Sequence, residues 1–253
     1  MKDKLLKILD NFKNRKILVI GDIMLDKYIW GEVSRISPEA PVQVVNVLKE
    51  TYEAGGAANV ASNVSALSGR AFMVGIAGND EAKNILIDEL QKKGIDTNGI
   101  FIDKDKPTTQ KVRIVGRGQQ LLRVDYEKKE HVHKNIENSI IKFLGKLVKE
   151  VDVVVLSDYA KGVITQEISS QLTRMSKESN KPIVVDPKPK HLNLYSNVTL
   201  ITPNNAEASE MADIEDGYDE AVLEMGSKLL KSLNANVLIT RGEKGMSLFE
   251  KDG

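Results

Sequence analysis

Apolar and polar positions along the chain follow two rhythms. Residues 2–14 carry Leu5, Leu6, Ile8, Leu9 and Phe12 at helical spacing. Residues 16–20 form a short apolar run that stops at Gly21, as a buried strand would. The same reading predicts a helix over 57–67, a strand over 71–76, a helix over 80–93 and another from about 134 to 150. Strands over 151–156, 182–185, 198–202 and 237–240 follow, interleaved with helices over 166–178, 207–211 and 220–233. A further strand begins at 246–250, and Lys251-Asp252-Gly253 reads as the middle of a hairpin. The strands are Val/Ile/Leu runs without alternation. Both their faces are therefore expected to be buried, as in a parallel sheet covered by helices.

Two sections break this rhythm. Residues 28–52 carry Trp30-Gly31 and a partly alternating run, Val42-Gln43-Val44-Val45-Asn46-Val47. Residues 108–124 alternate similarly around a Gly116/Gly118 turn. The predicted organisation is one α/β domain over 1–253 with a small sheet inserted from about 28–52 and 99–126. A small sheet of this kind is bare on one face unless it covers something or pairs with another copy.

Composition narrows the class. The 253 residues are 41% hydrophobic and 28% charged, ordinary for a globular protein. Lys+Arg and Asp+Glu balance at 36 each, so no nucleic-acid or membrane partner is expected. The chain contains no cysteine, which excludes disulfides and thiolate chemistry and fits a cytoplasmic setting. There is neither a secretory signal pattern at the N-terminus nor an apolar run of about 18 residues. His131 and His133 lie in a charged stretch and read as solvated loop residues, not ligands.

Candidate chemistry collects where strands end. Gly55-Gly56 precedes a helix-like run, with Asn59 just inside it. Glycines there let backbone N–H groups approach a ligand, and a buried Asn would offer a donor and an acceptor to a hydroxyl. A plain glycine turn before an amphipathic helix explains the same residues. Asp22 and Asp26 follow the first strand, either as ligand contacts or as a cap. Ser157-Asp158-Tyr159-Ala160-Lys161-Gly162, Asp186-Pro187-Lys188, Thr202-Pro203-Asn204-Asn205-Ala206-Glu207 and Thr240-Arg241-Gly242 follow four later strands. Each alone could be a turn or a helix cap. Together they fall on one predicted edge, where open α/β sheets bind ligands, and capping requires no Lys, Glu or Arg there. The residue types suit phosphoryl transfer, which needs positioned phosphates, a divalent cation and cationic clamps. Glu207 could hold Mg²⁺ through water, Lys161 and Lys188 could meet phosphate charge, and Thr240 and Gly242 could meet a nucleotide phosphate. No Walker-type G-x-x-x-x-G-K-[ST] loop is present.

Gly55-Gly56-x-x-Asn59, Asn204-x-x-Glu207 and Thr240-x-Gly242 resemble, in order, motifs of the ribokinase-like (phosphofructokinase-B type) sugar kinases, from residue 16 onward. Gly21-Asp22-x-Met24-x-Asp26, Arg35-x-Ser37-Pro38-Glu39-Ala40-Pro41, Gln119-Gln120-x-Leu122-Arg123-x-Asp125 and Ser157-Asp158-Tyr159-Ala160-Lys161-Gly162 resemble, more narrowly, the heptose-7-phosphate kinase domains of bacterial ADP-heptose synthases. The resemblance implies a ribokinase-like, mostly parallel sheet flanked by helices, with the small sheet as a lid that often clasps a second subunit. It implies ATP-dependent phosphorylation of the anomeric hydroxyl of D-glycero-β-D-manno-heptose 7-phosphate, for ADP-heptose and lipopolysaccharide core synthesis. Asp22, Asp26, Gly55, Gly56 and Asn59 would then hold the sugar. Arg113, Arg123, Lys161, Asp186 and Lys188 are further substrate candidates, with Lys111 an exposed lid residue. Asn204 and Glu207 would serve Mg²⁺, and Asn204, Thr240 and Gly242 the ATP.

The family's Gly-Ala-Gly-Asp loop, whose Asp is the catalytic base, does not occur in residues 1–253. No catalytic residue is therefore expected within this chain, and the base is expected beyond Gly253. The expectation is a C-terminally truncated kinase, nearly inactive alone, with apolar surface exposed where the following helices would pack. A kinase for another sugar, or a non-catalytic binding or dimerisation module, remains open at this stage.

Overall fold

A computed structural model describes residues 2–216 and 219–251. In chain order the elements are α1 (Lys2–Asp10), β1 (Lys16–Gly21), β2 (Ile23–Ile36), β3 (Gln43–Gly56), α2 (Ala57–Ala66), β4 (Arg70–Ala77), α3 (Glu81–Lys92) and β5 (Asp96–Ile102). They continue with β6 (Gln110–Gly116), β7 (Gln119–Tyr126), α4 (Lys134–Leu147), β8 (Val153–Ser157), α5 (Gln166–Glu178), β9 (Ile183–Asp186), a 3₁₀ segment (Pro189–Leu194) and β10 (Leu200–Ile201). The last are α6 (Asn205–Ala212), α7 (Asp219–Leu233), β11 (Asn236–Thr240), a short 3₁₀ turn (Gly242–Lys244) and β12 (Met246–Phe249).

The large sheet has the order β12-β11-β10-β9-β8-β1-β4-β5. Its neighbours run parallel from β5 through to β11, and only β12 is antiparallel. The carboxyl ends of seven strands therefore share one edge. A hairpin is present one strand earlier than expected, as β11–β12, with Thr240 opposite Met246. The expected hairpin at Lys251-Asp252-Gly253 cannot be placed in the same way, because Asp252 and Gly253 lie outside the described residues. The catalytic base expected beyond Gly253 likewise falls outside them.

Helices α2 and α3 cover one face around Val19, Met73, Leu86 and Leu90. Helices α4 to α7 cover the other around Leu18, Val154, Ile140, Leu172 and Met225. The expectation that every strand is buried on both faces is corrected here. β1 is buried almost throughout, but in β8, β9 and β11 buried and half-buried residues alternate. On that face β8 meets the α2 cluster through Val153 and Val155, but these residues, like the alternate positions of β9 and β11, stay only half-buried. An apolar groove of about 590 Å³ opens beside this region, lined by Ile8, Phe12, Ile17, Leu67, Val153 and Val155. Apolar runs read alike whether one face or both are covered, so the pattern could not reveal the difference.

The small sheet has the order β3-β2-β6-β7. Its strands start nearer the large sheet than the sequence suggests, because β2 leaves β1 after Asp22 and β3 runs straight into α2 at Gly56. Residues 99–102 lie in β5, an edge strand of the large sheet, and only 110–126 return to the small one. β2 and β3 pair over almost their whole length, from Ile23–Gly56 to Ile36–Gln43. Beyond the buried bases the outer strands β3 and β7 are mostly exposed and the inner strands β2 and β6 mostly half-buried, with Ile36, Val47, Leu48 and Leu122 reaching solvent.

Candidate active site

The polar groups of the shared edge divide by burial. Asp22 sits between β1 and β2 and is 1% exposed. Its Oδ2 accepts the amides of Tyr159 (2.9 Å) and Lys161 (3.0 Å), and its Oδ1 accepts the amide of Val163 (3.1 Å). Burial raises its pKa, and the nearby Asp158 adds to the rise, while the three amides oppose it. Asp22 thus acts first as the fastener of the loop after β8.

Gly55 and Gly56 explain themselves sterically. A Cβ on Gly55 would lie 2.5 Å from Asp26 Oδ2. Gly56 has φ 58°, the left-handed region that favours glycine, and a Cβ there would lie 2.5 Å from the Asp22 carbonyl oxygen. The Ala57 amide donates to that oxygen (3.0 Å), so the start of α2 is bound to the end of β1. Asn59, expected to be buried, is exposed in the first turn of α2. The first-turn position leaves it beside the junction, available to a ligand but not enclosed.

Asp26 accepts from Arg113 Nη1 at 2.6 Å, and the guanidinium lies 5.2 Å from the Tyr28 ring centre. Arg113 and Arg123 are opposite one another across β6 and β7. Arg123 is bidentate to Asp125 at 2.9 and 3.1 Å. Each arginine is therefore already neutralised by a carboxylate, and a phosphate arriving here would compete with Asp26 and Asp125. Lys111 pairs in register with Asp26 on one side and Asp125 on the other. Lys161 is held by Glu127, with both side chains largely buried.

At the ends of β9 and β10 a second group assembles. Asn204 caps α6 by accepting the Glu207 amide (2.9 Å), and Glu207 Oε2 accepts the Asn204 amide (3.1 Å). This reciprocal capping box satisfies two helix donors at once. Glu207 Oε1 accepts from Lys188, whose ammonium lies 5.8 Å from the Tyr159 ring centre. Burial raises the pKa of Asp186, and the charge of Glu207 raises it further. Burial would lower that of Lys188, yet the Glu207 hydrogen bond carries it above its ordinary value. Asn204 also bridges to Thr240, whose amide donates to the Pro203 carbonyl (3.0 Å). Gly242 is exposed with φ 59° and open space around its α-carbon.

Sequence reading missed one cluster. Asp158 is fully buried, and its Oδ2 accepts from the Tyr195 hydroxyl (2.7 Å) and meets His191 Nδ1 at 2.6 Å. The Tyr195 oxygen in turn accepts the Lys188 amide (3.0 Å). Burial, reinforced by the Asp158 charge, drives the Tyr195 pKa well above its ordinary value, so the phenol keeps its proton. His191 and Tyr195 belong to a 3₁₀ segment and its end. No periodicity marks that segment, and more than thirty positions separate it from Asp158.

These polar groups collect at the carboxyl edge of a parallel sheet, beside a second, smaller sheet. Residues 14–253 match the pfkB family carbohydrate kinase domain, and the chain belongs to that family. It is 42% identical over 240 residues to the bifunctional protein HldE of Desulfatibacillum aliphaticivorans, covering 94% of this chain and 49% of that one. It is also 42% identical over 247 residues to HldE of Wolinella succinogenes, covering 96% of this chain and 52% of that one. The chain spans about half the length of the curated relatives it matches. Arabidopsis thaliana ribokinase complexed with ribose and ATP superposes with a TM-score of 0.70 at 19% identity, covering 95% of this chain and 76% of that one. Tetrameric phosphofructokinase-2 from Escherichia coli gives 0.71 at 18%, covering 95% and 78%. Those two establish the fold alone. Among the described residues no helix is long and apolar enough to cross a membrane.

Proposed function

We propose that this chain carries the substrate- and nucleotide-binding part of a cytoplasmic kinase that phosphorylates the anomeric hydroxyl of D-glycero-β-D-manno-heptose 7-phosphate with ATP. The product, a 1,7-bisphosphate, would serve ADP-heptose and lipopolysaccharide core synthesis. The observation that carries the reading is the row of polar groups from Asp22 to Thr240 on one edge of the parallel sheet, in a chain about 42% identical to HldE proteins.

In this reading Asp26, Gly55, Gly56 and Asn59 hold the sugar hydroxyls, and Asp22 positions the loop that carries Lys161. Arg113 and Arg123, with Lys188, receive the 7-phosphate by exchanging their carboxylate partners for it. Asn204, Thr240 and Gly242 meet the ATP phosphates. Asp186 and Glu207 form a partly buried pair of acids facing a single lysine, an excess of negative charge that fits a hydrated Mg²⁺. When bound, that ion would neutralise charge on the transferred phosphoryl group. The exposed apolar residues of the small sheet suit pairing with a second copy of the chain.

No residue in 1–253 is assigned as the base, since the Gly-Ala-Gly-Asp loop is not in this sequence. The chain alone is proposed to bind ligands without turning them over at an ordinary kinase rate. A thermal-shift series with heptose 7-phosphate, the unphosphorylated heptose and Mg·ATP, joined to an ADP-release assay, tests both parts. The expected result is stabilisation by the phosphorylated sugar and by Mg·ATP with negligible release. Equal stabilisation by the unphosphorylated sugar would remove the substrate assignment. Rapid release would remove the requirement for a loop beyond Gly253.

A further inference from the structure

The hairpin β6–β7 leaves the large sheet through residues 103–109 and returns through 127–133. At its base stand Asp103, Asp105 and His133, whose carboxylate oxygens and ring nitrogen can offer one atom each, all within 4.8 Å of one another. Asp105 Oδ2 lies 3.1 Å from His133 Nε2. His133 occupies the N-cap position of α4 but its side chain makes no capping bond. A second observation is independent of this grouping. Asp103 is 1% exposed, and while Oδ1 accepts the Asp105 amide (3.0 Å), its Oδ2 is buried without any hydrogen-bond partner. An ionised carboxylate oxygen left unsatisfied in the interior is costly, and such an atom in a native fold calls for a partner.

Lys106 and Lys128 lie close enough to feel the charge of Asp103, but neither gives that oxygen a hydrogen bond. Lys106 donates to the Glu130 carbonyl oxygen. Lys128 pairs with Glu130 Oε2 at 2.9 Å and reaches only the backbone oxygen of Asp105, at 3.5 Å. We infer that Asp103, Asp105 and His133 form a divalent transition-metal site that ties the outgoing and returning ends of the β6–β7 hairpin together. Two carboxylates balance the charge of one divalent ion. An imidazole nitrogen beside them selects Zn²⁺, Co²⁺ or Mn²⁺ over Mg²⁺, which prefers oxygen ligands alone. Three protein ligands leave positions for water. The site lies away from Asp186 and Glu207 in the fold, so it is separate from the cation of the phosphoryl-transfer reading and stands whether or not that reading does.

The metal would join two segments already in loose contact. Thr108 is fixed to the body by Asp80, which accepts its amide (2.8 Å) and its hydroxyl (2.7 Å). The Lys106–Glu130 bond already links the two segments. A shared ion adds a stronger link, and so holds the small sheet's base at a set spacing.

The test uses the full chain, stripped with chelator and titrated with Co²⁺ by absorption and with Zn²⁺ by calorimetry. One equivalent should bind, and Zn²⁺ should slow hydrogen exchange in both 103–109 and 127–133. His133→Ala, at an exposed position that should not disturb folding, should weaken binding about tenfold or more. Asp103→Asn should do the same, and His131→Ala should change nothing. Absence of saturable binding, or binding unaltered by His133→Ala, overturns the site. Protection confined to one of the two segments overturns the tie.

Discussion

The two ends of the strand-edge row are built differently. At the β1–β8 end the acids are interior. Asp22 and Asp158 are almost wholly buried and bonded to amides, a phenol and an imidazole of the protein itself. At the β10–β11 end Asn204 and Gly242 are exposed, and Glu207 is engaged by its own helix cap and by Lys188. A carboxylate whose lone pairs hold backbone amides is part of the frame. A carboxylate paired with one partly exposed lysine can change partner when a ligand arrives. The first end should therefore answer mutation through stability, and the second through ligand affinity.

The largest expected effect is at Asp22. Asp22→Ala leaves the amides of Tyr159, Lys161 and Val163 without acceptors in the interior. At about 1 kcal/mol or more per orphaned donor, the loss should be about 3 kcal/mol. Urea denaturation measures it. A variant of near-native stability that has lost sugar binding would place Asp22 with the ligand instead of the frame, and would erase the contrast.

That contrast was only partly readable from sequence. Asn204-x-x-Glu207 announced both a helix start and a site, and the structure shows the capping box at that position. Gly55-Gly56 announced a junction, for the reason that their missing Cβ atoms show. Asp22 was visible as an acid after a strand. Its three amide partners were not, because they lie about 140 positions away in a loop whose shape no local pattern encodes. The Asp158–His191–Tyr195 cluster was hidden for the same reason. β5 escaped because Asp96-Thr97-Asn98-Gly99 dilutes its apolar content at the edge of the sheet.

An intermediate effect is expected at Tyr195, which belongs to the interior end but touches the backbone of Lys188. Tyr195→Phe removes the donor to Asp158 and the acceptor of the Lys188 amide while keeping the ring in place. The stability loss should be about 1–2 kcal/mol. Because Lys188 links the two ends, affinity for a phosphorylated sugar should fall as well. A loss of stability with affinity unchanged would show the two ends to be mechanically independent.

The smallest effect on the fold, and the sharpest test of the open end, is Glu207→Gln. A glutamine oxygen can still accept the Asn204 amide, so the capping box survives, since Gln is as acceptable as Glu at that position. What is lost is the negative charge facing Lys188. The Lys188 side chain is 35% exposed and that of Glu207 13%, so solvent screens the pair in part and only a modest share of the stability rests on it. The free energy of unfolding should fall by no more than about 1 kcal/mol. If Glu207 holds a hydrated cation beside ATP, Mg·ATP affinity should nonetheless drop about tenfold, while sugar-phosphate binding stays near its original level. Calorimetry with each ligand separates these outcomes. A stability loss as large as that of Asp22→Ala would mean that Glu207, too, is frame, and that the open end holds its acids as rigidly as the buried one.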